Sequence, residues 1–242
     1  MAALVVGIDT PGSWTYSQSA MVARKPKTHA LKPKDVNPRT KVAYHEAGHA
    51  VLSAAIANKP RHVSIRPEGT TLGRSGARAS VRPTTRVQED LAGFAAEHLL
   101  TGRRPRQVDE DVGFAIIARL DPEMSEAFVG SEDRDGYCAV QEVLGMVGFE
   151  ADDEIKREVD RFYDIARESL SVVWRTVEGV AQALLRYKEL DRDRLNEALG
   201  DADIHAPVIA VQLAHGLLKV RPSIPPQTST RLWQVFGIQG HG

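Results

Sequence analysis

The 242-residue sequence contains a single cysteine, Cys138, so it cannot form an internal disulfide framework. One cysteine is typical of a reducing compartment, and we therefore expect a cytoplasmic location. No run of about 18 apolar residues occurs, which predicts no membrane span. The N-terminus also lacks the basic region of a secretory signal, and Asp9 interrupts its first apolar stretch.

The net charge is only −1, but the two signs are unevenly distributed. Residues 1–107 carry 17 basic and 7 acidic side chains, whereas residues 108–203 carry 11 basic and 25 acidic ones. Such a division indicates oppositely charged faces, which attract each other or steer a partner. The arginines of the basic half are not interleaved with aromatic residues and no nucleic-acid-binding motif occurs, so we expect no nucleic acid partner.

Composition divides the chain into three regions. Residues 1–38 mix prolines with basic residues and show little periodicity, which predicts a flexible basic N-terminal arm. Residues 39–201 carry the periodic apolar patterns of a folded domain. Residues 202–242 form a C-terminal tail that is partly apolar and then proline-rich. The tail either packs on the domain or contacts a partner.

The folded domain is predicted to be mostly α-helical, because its apolar residues recur at three- and four-residue steps. The predicted helices cover residues 41–58, 87–100, 109–120, 134–148, 154–170, 171–187 and 192–199. Thr40 is expected to cap the first of them. Residues 62–66 alternate in polarity and residues 77–82 form a second candidate strand, which predicts a small β-hairpin or sheet near the first helix.

One motif in the first predicted helix carries a specific chemistry: His45-Glu46-Ala47-Gly48-His49. Histidines at positions i and i+4 lie one turn apart on one helical face, so both imidazoles can reach a single cation. Neutral imidazole suits Zn²⁺, and the glutamate between the two can act as the general base for an attacking water. The motif therefore predicts a zinc hydrolase with His45 and His49 as metal ligands and Glu46 as the catalytic base.

A catalytic zinc ion needs a third protein ligand besides an open position. The metzincin extension of this motif requires glycine at position 52 and histidine at position 55. The sequence has Leu52 and Ala55 there, which excludes that subclass. The third ligand is then expected to be an aspartate or glutamate on a later helix.

Four segments, in the same order along the chain, resemble those of the FtsH-type membrane metalloproteases. Residues 42–51 (VAYHEAGHAV) resemble the zinc-binding helix of that family, and residues 63–73 resemble the strand and turn that follow it. Residues 91–102 (LAGFAAEHLLTG) are similar to the family's GGRAAEELIFG helix, and residues 154–191 look like its terminal helical pair and ETLD turn. The resemblance implies that residues 39–201 form a helical, zincin-like zinc metalloendopeptidase domain.

The resemblance also implies that an aspartate at the start of a helix is the third zinc ligand. Asp111 has the family's spacing from the 91–102 segment without a gap, whereas the helix that begins at Asp135 repeats the family's apolar pattern better. We favour Asp135, with Asp111 as the alternative and Asp133 third. Each of them is also explained as a carboxylate that the helix dipole favours without any metal.

The family's ATPase module needs a G-x-x-x-x-G-K-[ST] phosphate loop, and no such stretch occurs in this sequence. We therefore expect the substrate to be an unfolded or extended polypeptide, with a separate ATPase as a possible partner. Residues 63–66 are predicted to be an edge strand that receives such a peptide by strand addition. The family's rings make a homo-oligomer a further expectation. The alternative function is a catalytically silent zinc-binding interaction domain that works with a partner protein.

Overall fold

The computed structural model describes residues 36–56, 59–67, 74–75, 82–120, 135–147 and 152–218. Within these ranges the fold is mostly α-helical, as the sequence predicts. The helices are α1 (Pro38–Ala55), α2 (Pro83–Thr101), α3 (Arg106–Leu120), α4 (Asp135–Val147), α5 (Asp152–Val172), α6 (Trp174–Tyr187), α7 (Arg192–Leu199) and α8 (His205–Ala214). Apart from its last three residues, the predicted basic arm lies outside the described residues.

Helix α1 begins earlier than the sequence predicts. The side chain of Asn37 accepts a hydrogen bond from the backbone N–H of Thr40 at 2.8 Å, and Pro38 occupies the first helical position. Asn37 has the extended backbone that an N-cap requires, and proline has no N–H to leave unpaired at the next position. The prediction that Thr40 is the cap is therefore wrong, since Thr40 is the donor within the first turn.

Helices α1 and α2 cross in close contact at the centre of the domain. A Cβ atom on Gly48 would lie 2.6 Å from the carbonyl oxygen of Ala92 and 2.7 Å from Cβ of Ala96, so the two helices could not approach this closely with a larger residue there. Helix α6 packs on α1, whereas α4 and α5 pack on α2, and α3 packs on α4. This arrangement buries the helix that carries the HEAGH motif between its neighbours.

Three two-residue strands form a small antiparallel sheet against the α1 side of the domain: β1 (Val63–Ser64), β2 (Arg74–Ser75) and β3 (Glu189–Leu190). The strand order is β2-β1-β3. Strand β1 is thus paired on both sides, and the prediction that it is an edge open to a peptide is wrong. Of the second predicted strand, only residue 82 is described.

Helix α8 shows that part of the C-terminal tail packs on the domain. Val208 and Val211 join the apolar core, and the buried side-chain amide of Gln212 pairs with that of Gln88 on α2. His205 also donates from Nδ1 to the carbonyl oxygen of Ala55 at 2.7 Å, which pairs one of the last carbonyl groups of α1, where a helix supplies no partner of its own. None of the helices in the described ranges is long and apolar enough to cross a membrane.

Candidate metal centre

Three predicted site residues meet in one place. His45 and His49 lie one turn apart on α1, and Asp135 is the first residue of α4. Oδ2 of Asp135 is 2.9 Å from Nε2 of His45 and 3.0 Å from Nε2 of His49, and the two Nε2 atoms are 3.1 Å apart. Among the described residues, these side chains form the group of histidine and acidic residues that is close enough to share one metal ion.

The spacing of the three atoms suits a zinc ion. Ligand atoms at roughly 2.0–2.1 Å from a tetrahedral zinc are about 3.3 Å apart, only slightly more than the separations seen between His45, His49 and Asp135. Two imidazole nitrogens and one carboxylate oxygen are also ligands that zinc prefers, and three protein ligands leave the fourth position open, as in a catalytic site. The residues present therefore fit zinc in both spacing and chemistry.

The outer nitrogen of each imidazole is fixed by a partner on α2. Nδ1 of His49 lies 2.7 Å from the backbone carbonyl oxygen of Glu89, which can only accept, so this nitrogen carries a proton. Nδ1 of His45 lies 2.9 Å from Oε1 of Glu97 and donates to it in the same way. The Nε2 atom of each ring is then left without a proton and faces Asp135. Three acceptor atoms therefore meet at one point, and a cation or a proton between them is needed to offset their mutual repulsion.

Gly93 of α2 sets the position of the His45 ring. A Cβ atom on Gly93 would lie 2.4 Å from Nε2 of His45 and 2.5 Å from two of its ring carbons, so the backbone of α2 passes directly against the imidazole. On α2, the ring of Phe94 contacts the same imidazole edge to face, with the ring centres 5.3 Å apart. The ring is thus held both by packing and by its hydrogen bonds.

The charges of the site favour a cation between the three atoms. Burial lowers the pKa of His45, but the hydrogen bonds to Asp135 and Glu97 and the charges of Asp135 and Glu46 outweigh this effect and raise the pKa to about 10. The pKa of His49 is also raised, since the charge of Asp135 and its hydrogen bond outweigh burial. Burial raises the pKa of Asp135, but the two imidazoles hold it below its usual range. Without a metal ion, His45 therefore carries an additional proton and a positive charge at neutral pH.

Zinc binding near pH 8 is expected to release at least one proton. In the folded metal-free chain the pKa of His45 is raised from 6.5 to about 10. The proton on His45 therefore stabilises the fold fully below about pH 6.5, and this stabilisation is lost as the pH rises through about 10. Zinc must displace this proton, and its apparent affinity therefore rises with pH across that window. Calorimetric titrations in two buffers of different ionisation enthalpy measure the release. Heats that do not depend on the buffer would contradict the prediction.

Glu46, the predicted base, lies between the two histidines in the sequence and is buried, with 7% of its surface exposed. Its negative charge raises the pKa of both His45 and His49, so it favours a positive charge at the two imidazoles. Cys138, one turn after Asp135, is exposed and is not a member of the group that could share a metal ion.

Asp111, the alternative third ligand, lies in a different place. It is buried on α3, and its Oδ1 accepts a hydrogen bond from Nε2 of Gln107 at 3.3 Å. Its Cβ atom packs against Gly136, where an added Cβ would lie only 2.6 Å away. The structure thus brings Asp135, and not Asp111, to the histidines, while Asp111 packs beneath the start of α4. Asp133 lies outside the described residues.

Sequence reasoning missed the groups that surround the candidate ligands. Glu97 is 5% exposed and Gly93 lies against His45, but the sequence pattern assigned neither residue a role beyond membership of the 91–102 segment. The signal for Glu97 was available, since it is an acidic residue within the otherwise mostly apolar segment 91–100. Asp90 was also missed: burial and the charges of Asp135 and Glu142 raise its pKa to about 8.

Two histidines on one helix, a carboxylate opposite them and a buried glutamate between them form a candidate zinc site of the kind found in peptidases. No family model matches the chain. The chain is 25% identical to the ATP-dependent zinc metalloprotease FtsH of Rubrobacter xylanophilus, over 71% of this chain and 29% of that protein.

Two further relatives extend this likeness. FtsH 1 of Sorangium cellulosum is 29% identical over 66% of this chain and 29% of its own length, and YME1L of Drosophila melanogaster is 28% identical over 83% and 30%. Both are also named ATP-dependent zinc metalloproteases. The chain thus resembles the FtsH-type metalloproteases, and it spans about three-tenths of the length of these curated relatives.

Proposed function

We propose that this protein is a zinc-dependent metalloendopeptidase that hydrolyses peptide bonds of unfolded or extended polypeptides. The observation that carries the proposal is the convergence of Nε2 of His45, Nε2 of His49 and Oδ2 of Asp135 within 3.1 Å of one another. The likeness to proteins named ATP-dependent zinc metalloproteases supports a hydrolase of the metalloprotease type.

Each residue of the site has a role in this reaction. His45, His49 and Asp135 hold the zinc ion, with the outer nitrogens of the imidazoles fixed by Glu97 and by a backbone carbonyl. When bound, zinc lowers the pKa of water from 15.7 to about 7 and polarises the scissile carbonyl. Glu46 accepts the proton of the attacking water and then delivers it to the leaving amine.

The substrate and the partners follow from the same likeness. We propose that residues 39–201 form the peptidase domain, with α8 of the C-terminal tail packed on it. An ATPase acting as a separate partner would supply unfolded polypeptide, because the relatives are named ATP-dependent. A cytoplasmic location and assembly into a homo-oligomer belong to the same proposal.

Zinc content is the first test of this function. Elemental mass spectrometry of the full chain, purified without chelator or histidine tag, is expected to give about one zinc per chain after dialysis. Cleavage of a permanently unfolded, fluorescently labelled polypeptide is expected to stop on treatment with a chelator and to return with zinc. Failure to bind zinc after reconstitution would overturn the proposal. Bound zinc without cleavage would favour the catalytically silent interaction domain.

A further inference from the structure

We propose that Lys41 is a positioning residue for the metal centre, acting through Glu97 on His45. The inference rests on the proposed metal site and adds to it a residue that is not one of the three candidate ligands. It concerns the cation at the outer end of a chain of three side chains that runs from the surface to the site.

The contacts form a continuous path. Nζ of Lys41 lies 2.7 Å from Oε2 of Glu97, and Oε1 of the same carboxylate lies 2.9 Å from Nδ1 of His45. Oε1 thus accepts a hydrogen bond from His45, whereas Oε2, which has no hydrogen-bond partner among the described residues, is in ion-pair contact with the Lys41 ammonium. The Glu97 side chain is 7% exposed, whereas that of Lys41 is 48% exposed, so the path begins in solvent and ends at a buried ligand.

The position of Lys41 in α1 is locally unfavourable. The residue lies near the N-terminal end of the helix, where the backbone N–H groups and the helix dipole disfavour a cation. The first turn contains no acidic residue that would offset this effect. The partner of the ammonium is instead Glu97 on the neighbouring helix, which indicates that Lys41 serves the tertiary structure around His45 rather than its own helix.

Loss of the ammonium would act on the histidine through the carboxylate. A buried carboxylate that loses its cation is poorly compensated, and a side chain held at one oxygen only is free to rotate. Rotation of the carboxylate weakens the hydrogen bond that Nδ1 of His45 donates to Glu97. This hydrogen bond fixes the orientation of the ring and keeps the proton on Nδ1, so that Nε2 is free to face the metal. The expected consequence is a weaker zinc site with an unchanged set of ligands.

Competition with a chromogenic chelator on the full chain measures this effect. Removal of an outer partner of a ligand typically costs 10–100-fold in metal affinity, and Lys41→Met, one step further out, is expected to weaken zinc binding roughly three- to tenfold. Lys41→Arg keeps the charge and is expected to restore most of the affinity. Lys156→Met, on the exposed surface of α5, is the matched control and is expected to bind as the wild type does.

Two further readouts separate positioning from a general loss of structure. The metal-free Lys41→Met chain is expected to remain folded by circular dichroism at the temperature of the binding assay, although its melting temperature falls because Glu97 loses its cation. In a Glu97→Gln background, Lys41→Met is expected to change zinc affinity no further, since the path is already broken.

The possible failures are distinguishable. If the wild type binds zinc and Lys41→Met binds it equally well, the inference is overturned while the proposed function stands. An equal loss in Lys156→Met, or a loss that Lys41→Arg does not restore, also overturns it. If the wild type binds no zinc under any condition, the proposed metal site itself fails and the inference fails with it.

Discussion

Replacing Glu46 with glutamine is expected to leave zinc bound and to lower kcat for peptide hydrolysis by about 10²–10⁴-fold, the contribution of a general base. The amide is nearly isosteric with the carboxylate but cannot accept a proton from water at neutral pH. Because Glu46 is 7% exposed, a substituent of the same shape preserves the packing of α1. Zinc content by elemental mass spectrometry and the rate of cleavage of an unfolded polypeptide are measured on the same preparation.

Glu110→Gln is the matched control, because it makes the same chemical change at an exposed position of α3. It is expected to retain both zinc and activity. Equal rates for the wild type and Glu46→Gln would remove Glu46 from the reaction. Loss of zinc in Glu46→Gln would show instead that its charge is needed to hold the metal.

The second large effect is expected at Asp135. Asp135→Asn replaces the charged oxygen of a proposed ligand with a neutral amide. Removal of an outer partner of a ligand typically lowers metal affinity roughly 10–100-fold, and the zinc affinity of Asp135→Asn is expected to fall by more than this. The physical reason is that Oδ2 of Asp135 lies 2.9 Å and 3.0 Å from the two Nε2 atoms, so this oxygen would complete the proposed set of zinc ligands. Chelator competition gives the affinity, and circular dichroism verifies that the variant is folded.

Asp111→Asn tests the alternative ligand under the same conditions. Asp111 packs against Gly136 and accepts from Gln107, so its substitution is expected to lower the melting temperature while leaving zinc affinity within about threefold, less than even a lost outer partner costs. The opposite pattern, with zinc lost in Asp111→Asn and kept in Asp135→Asn, would make Asp111 the ligand and contradict the geometry described above.

The helical architecture and the HEAGH helix could be predicted because their signals are local. Apolar residues at three- and four-residue steps fix which face of each helix is buried, and the i, i+4 spacing of His45 and His49 places both rings on one face. The cap was misassigned because Asn37 and Thr40 are both good N-cap residues, and the choice depends on where the preceding backbone becomes extended.

The remaining features depend on contacts between distant parts of the sequence. Strand β1 is central because β3, a two-residue strand with no periodic signal of its own, pairs with it from Glu189–Leu190. For the third site residue the sequence favours Asp135 over Asp111 and Asp133 but excludes neither alternative, since all three are predicted near the start of a helix. The packing of α3 and α4 separates Asp135 from Asp111. The partner of His45, Glu97, is 52 residues away and is brought there by the α1–α2 crossing.

The site is divided unequally between its supporting helices. The two imidazoles belong to α1 and their outer partners to α2, so this half is assembled by the packing of α1 on α2. Asp135 stands apart at the beginning of α4. A bound zinc ion would therefore link the start of α4 to α1. The amide hydrogens of α4 are then expected to exchange with solvent faster once the metal is removed.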